Sequence, residues 1–159
     1  MTNEQLLAVQ AAIQADPVLN AYPLTSDGAW AIADLLNLPA TPAFSVWRTD
    51  LNIDEIMRNG MDWTRVDNLS VGKARIWDWM SRLGTLDMSR PNIRAGVEAV
   101  WVGTAADLAV RAMVYSHGKR NATRVEQILA TGAGTTASPA VMGWEGAISY
   151  PQVERARAM

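Results

Sequence analysis

The chain has no cysteine in 159 residues, one histidine, one phenylalanine and only two lysines. Without cysteine, neither a disulfide nor a thiolate metal site can form. With His117 as the sole imidazole, a zinc site would need Asp or Glu partners, and no HExxH or HxH spacing occurs. No GxSxG elbow is available to present a catalytic serine. No apolar run approaches the ~20 residues that span a bilayer, so no membrane contact is expected. The start, MTNEQLLAVQ, lacks the basic residues and apolar core of a secretory signal. The Asn68-Leu69-Ser70 and Asn121-Ala122-Thr123 sequons are therefore read as chance. A formal net charge of -2 also lacks the basic excess of a general nucleic-acid binder.

What is present is globular: 49% hydrophobic residues and 19% charged, enough chain for one domain with a real core. Twelve arginines stand against Lys73 and Lys119, and seven residues are tryptophan. A GC-rich coding sequence accounts for the arginine bias as well as function does. The planar guanidinium nonetheless suits interfacial ion pairs, and together with tryptophan it leans toward extensive contact surfaces.

Asp62 to Leu83, DWTRVDNLSVGKARIWDWMSRL, reads as the centre of the fold. Ser70 is placed to cap a helix in which Val71, Ala74, Trp77, Met80 and Leu83 recur at steps of three, widened by Ile76 and Trp79. Only Arg75, Asp78 and Arg82 form a polar stripe, so this helix is expected to be enclosed by others. Thr2 with Gln5 offers a capping box for a first helix to about Ala15, ended by Asp16-Pro17. Ser26 or Asp27 starts a second, and Asn52 opens a short third closed by Gly60. Pro91 leads a helix with Ile93, Val97, Val100 and Trp101 inward. Thr104 and Asp107 cap the next, with Leu108, Ala109, Ala112 and Met113 expected inward and Gly118 as the stop. Asn121 begins the last, with Val125, Ile128 and Leu129, closed by Gly132.

Beyond Gly132 the pattern changes. TGAGTTASPAVMG is small and Gly/Thr-rich without helical period, WEGAISY follows, and Pro151 precedes a helix-prone QVERARAM. The expectation is a mostly α fold: a compact bundle of about six helices over residues 1–130. An extended arm over 131–159 follows it, with a short β-hairpin around 140–150 and a short terminal helix. Val141, Met142, Trp144, Glu145, Ile148 and Tyr150 are its candidate interface residues, since such an arm has no obvious way to bury them itself.

Chemical motifs are weak. Gly132-Ala133-Gly134-Thr135-Thr136-Ala137 fits a loose dinucleotide fingerprint, but it follows a helix and is broken by Pro139, so it reads as a linker. Asp54-Glu55 are adjacent and do not converge as a glycosidase pair does. His117 sits at a helix end. With Lys119, Arg120, Arg124 and, a turn or two earlier, Arg111, it forms a local basic cluster that suits phosphates or an acidic partner, or a solvated corner. No cofactor and no metal are expected, and no enzymatic role.

Residues 62–80 (DWTRVDNLSVGKARIWDWM), 101–140 (WVGTAADLAVRAMVYSHGKRNATRVEQILATGAGTTASPA) and 143–156 (GWEGAISYPQVERA) resemble a family of small virion structural proteins of tailed bacteriophages. The likeness runs from about residue 44 to the end and includes no active-site motif. It implies a non-enzymatic part of the virion, assembled in the host cytoplasm. Within that class the implied role is a head–tail connector, or adaptor: a homo-oligomeric ring between the portal protein and a tail-completion or neck protein, docking through its C-terminal arm. DNA would be touched only in passing. The alternatives are a DNA-contacting packaging or regulatory module using the basic cluster, and another virion part such as a head-completion, tail-completion or capsid decoration protein.

Overall fold

The computed structural model describes residues 1–159. The chain is mostly helical, with 55% in ten helices and 11% in short strands. In order these are α1 (Asn3–Ala15), α2 (Pro17–Asn20), α3 (Ser26–Asn37), β1 (Ser45–Trp47), β2 (Leu51–Asn52), α4 (Ile53–Arg58), α5 (Trp63–Asp67) and α6 (Val71–Ser81). Then come β3 (Thr85–Leu86), α7 (Pro91–Val100), α8 (Ala105–His117), β4 (Lys119–Asn121), α9 (Arg124–Leu129), β5 (Ala130–Thr131), β6 (Val141–Met142) and α10 (Tyr150–Arg157). Six helices have eight residues or more; α2, α4, α5 and α9 are one-turn or two-turn pieces.

Several helix starts follow from their caps. The Thr2 hydroxyl accepts the Gln5 N–H while the Gln5 side chain accepts the Thr2 N–H at 2.8 Å. Thr104 with Asp107 and Thr123 with Glu126 repeat the arrangement. Asn52 caps α4. Thr25, one residue before the expected start, caps α3.

The chain divides into two compact units, residues 1–46 with 121–159 and residues 47–120. The expected boundary at 130/131 is not where the contacts separate. The reason is that the C-terminal segment supplies core to the N-terminal helices: α10 packs against α3 and α1. In this first unit Leu6, Val9 and Ile13 of α1 and Ile32 and Leu36 of α3 share one cluster with Val125, Ile148, Val153 and Ala156. The hairpin of this region is β5–β6, with Ala130 opposite Met142 and Thr131 opposite Val141. It lies earlier than the expected 140–150.

The second unit is contiguous. Its core gathers Trp47, Leu51, Ile56, Trp77, Met80, Leu86, Met88, Val97, Val100, Trp101, Val110 and Val114. β2 and β3 pair antiparallel, Leu51 opposite Leu86, and α6 packs on α7. Trp77 and Trp101 meet edge to face at 5.3 Å between centroids, and both buried indole N–H groups lack an acceptor. α6 is not enclosed. It buries Trp77 and Met80 only, leaving Val71 77%, Trp79 63% and the following Leu83 59% exposed. The phase of α8 also differs from expectation. Asp107, Val110 and Val114 are buried, and Leu108, Ala109 and Ala112 face out.

Candidate functional site

The six residues expected on a free arm divide sharply. Ile148 is 2% exposed and lies in the core of its own unit. It is held by a side chain 111 residues away: Asn37 Nδ2 donates to the Ile148 carbonyl at 2.9 Å, and Asn37 Oδ1 accepts the Ile148 N–H at 2.8 Å. Trp144 is half-buried against the same core. Val141 and Met142 belong to β6, and Glu145 is exposed in the loop after it. Gly146, at φ +117°, donates its N–H to the buried Glu126 carboxylate at 3.2 Å. These bonds give the Gly-rich stretch a fixed path that its composition alone does not announce.

Tyr150 is half-buried against the same core. Its ring stacks on Trp30 of α3, 4.7 Å between centroids and 18° between planes, and Trp30 is itself 53% exposed. Along α3, Asp27, Trp30, Asp34 and Leu38 fall on one exposed stripe at i, i+3, i+7 and i+11. Beside it lies a cleft of about 450 Å³ lined by Leu24, Ser26, Ala29, Glu154 and Arg157 among others. Ser26 Oγ donates to Glu154 Oε1 at 2.6 Å. Arg157 fixes the cleft's rim by donating to the Tyr22 and Pro23 carbonyls at 2.7 and 2.8 Å. The Ser26–Glu154 bond joins α3 to α10 across the cleft.

The basic cluster converges only in part: Arg111 and Lys119 share a cleft, and the others go elsewhere. Arg124 lies in the first unit, where its Nη2 pairs with Asp16 Oδ2 at 2.7 Å. Asp16 is held below its usual pKa first by the Leu19 and Val18 N–H groups and then by Arg124. The other four are in the second unit. His117 Nδ1 is 3.5 Å from Glu55 Oε1 and its Nε2 is 3.3 Å from the Asn59 carbonyl, so the ring ties α8 to α4. Glu55 also accepts from Arg48 at 2.9 Å. Lys119 sits over the Trp47 ring at 5.4 Å, as Arg94 does at 4.9 Å. Arg111 and Lys119 line a cleft of about 380 Å³ with Glu98 and Tyr115, and Arg120 is half-buried in β4. Burial, then the bond to Glu98, raises the Tyr115 pKa, so its hydroxyl stays a donor at neutral pH.

The most perturbed carboxylate is structural. Asp107 caps α8 by accepting the Thr104 N–H at 3.1 Å and receives Arg65 Nη2 at 2.8 Å. That N–H, then Arg65, hold its pKa at about 2. It opens onto neither cleft. No group of three His, Asp or Glu side chains comes together to hold a metal, and no helix is long and apolar enough to cross a membrane.

What the periodicity reading missed is exposed, not buried. In the second unit Val71, Trp79 and Leu83 share the outer side of α6 with Arg75 and Arg82, and Trp63 of α5 is exposed as well. In the first unit the counterpart is the α3 stripe around Trp30, with Leu24 82% exposed. Scattered exposed apolar residues are ordinary, whereas several on one side of a helix form a patch. Comparison with protein-family models, with curated proteins and with solved structures finds no match.

Proposed function

We propose that the chain is a non-catalytic, homo-oligomeric component of a tailed-phage particle. Within it, the chain acts as the head–tail adaptor, a ring between the portal protein and a tail-completion or neck protein. The observation that carries this reading is the pair of tryptophan-bearing helix faces, α6 around Trp79 and α3 around Trp30, both more than half exposed at the tryptophan. Aromatic and arginine side chains are what the centres of protein interfaces are enriched in. The resemblance of residues 62–80, 101–140 and 143–156 to virion proteins supplies the class of assembly.

The docking element is changed by the geometry of 143–159. Ile148 is engaged inside its own unit, so a free arm is replaced by a built face in which Tyr150 participates through Trp30. The protein would work in the virion after assembly in the host cytoplasm, with DNA touched only in passing. The test is light scattering on the purified full chain, alone and mixed with portal and tail-completion proteins of a tailed phage. A stable complex with either protein is the expected result. A chain that binds neither overturns the adaptor role.

A further inference from the structure

We infer that copies of this chain associate head to tail, the arginine-flanked face of α6 on one copy meeting the α3–α10 face, with its acidic α3 stripe, on the next. The inference rests on the homo-oligomeric reading above and names its interface.

Charge identifies the occupant. The first unit holds seven acidic residues against Arg124, Arg155 and Arg157, a formal net charge of -4, and residues 1–46 contain no lysine or arginine at all. The second unit holds nine acidic residues against eleven arginines and lysines, a net +2. The faces repeat this difference. On α6, Val71, Trp79 and Leu83 are accompanied by Arg75 and Arg82; Asp78 on that side pairs with Arg82 at 2.9 Å, so the excess positive charge of the face is that of Arg75. On α3, Trp30 lies between Asp27 and Asp34 with no lysine or arginine on that helix, while at the neighbouring cleft Glu154 of α10 is balanced by Arg157.

Neither face suits itself. Two acidic stripes repel, as do two arginine stripes, so a two-fold contact of either kind is disfavoured. The pairing that gains from both charge and apolar area is heterologous, one face against the other. A heterologous contact generates a ring when its rotation closes and a filament when it does not. Each face offers a tryptophan at its centre and charges at its edge, the arrangement in which a few aromatic residues supply most of the binding.

The test uses full-length Trp79→Glu, which spoils only the α6 face, and Trp30→Arg, which spoils only the α3–α10 face. Sedimentation velocity should show the unaltered chain forming species larger than a dimer that dissociate as salt rises. Each variant alone should associate at least ten-fold more weakly. Their equimolar mixture should form a dimer and nothing larger, since one intact face of each kind remains. The exposed charge reversals Arg75→Glu and Asp34→Lys should weaken association with unchanged melting temperature, which separates interface loss from misfolding. The proposal is overturned if either tryptophan variant assembles like the parent, or if the mixture stays monomeric while the parent assembles. It is also overturned if the charge reversals leave association unchanged. A parent chain that stays monomeric yet binds the portal removes this interface and leaves the adaptor role standing. Head-to-tail assembly without portal or tail-completion binding does the reverse.

Discussion

Truncating Ile148 to alanine removes three carbons from a side chain that is almost wholly enclosed by its own unit. At about 0.8 kcal/mol per buried carbon, transfer alone costs about 2.4 kcal/mol. Space left unfilled raises the loss to about 3 kcal/mol. For a chain of this length that is a fall of about 6–12 °C in melting temperature. With a urea slope of about 2 kcal/mol per molar, the midpoint moves by about 1.5 M. A companion variant, Asn37→Ala, leaves the side chain of Ile148 intact but strips its N–H and carbonyl of both partners. Each orphaned group costs about 1–3 kcal/mol where water cannot fully replace the bond. Far-UV circular dichroism at a concentration where the chain is monomeric reads both effects, and hydrogen exchange at the Ile148 amide reads the second directly. If residues 143–159 were an arm awaiting a neighbour, both variants would melt with the parent and exchange at that amide would already be fast. That outcome refutes the placement of this segment.

Asp107→Asn is expected to flatten the acid limb of stability. Its pKa is depressed to about 2, so its contribution is full above the ordinary carboxylate pKa of about 4 and is lost as pH falls from there through 2; melting temperatures of parent and variant measured across that range should converge at the acid end. Gly134→Ala should unfold or severely destabilise the first unit, because the new Cβ would overlap the Phe44 ring and the backbone sits at φ +66°. A soluble variant with parental thermal stability counts against this packing. Trp79→Ala should change the monomer's stability by no more than about 0.5 kcal/mol, as expected of a surface position, read by the same urea titration.

Local chemistry made several helix starts legible: Thr2 with Gln5, Thr104 with Asp107 and Asn52 act as their side chains require. The inward face of α7 was equally legible, since Val97, Val100 and Trp101 had a polar opposite side to define the phase. α8 shows where that logic stops. Asp107 looks like an outward residue, and rotating it to solvent turns Leu108, Ala109 and Ala112 inward. Its partner, Arg65, is 42 residues away, and once the ion pair is satisfied the carboxylate sits inside with Val110 and Val114. The same blindness to distant partners made Ile148 look unsheltered, because Asn37 is 111 residues off. The α6 reading failed in the opposite direction. Tryptophan at helical spacing says that a face seeks cover, and says nothing of whether the chain itself or another molecule provides it. Of the basic residues, only a fold could show that Arg124 belongs with Asp16, Lys119 with the Trp47 ring and His117 with Glu55. Of the five basic residues, Arg111 and Lys119 meet at one cleft.

The division of the chain bears on when the two faces come into being. Residues 47–120 are continuous, and the core around Trp77, Trp101 and Val114 is complete once that stretch has been made. The first unit is closed by both ends of the chain, α1 and α3 from one and α9 and α10 from the other. Until Tyr150 to Ala156 arrive, the inner sides of α1 and α3 lack Val153 and Ala156, and Trp30 lacks the ring it stacks on. Synthesis from the N-terminus therefore gives the α6 face early and the α3–α10 face last. Placing Ile148, Val153 and Ala156 in the core, instead of on a loose arm, makes the α3–α10 face depend on a segment more than a hundred residues away in sequence.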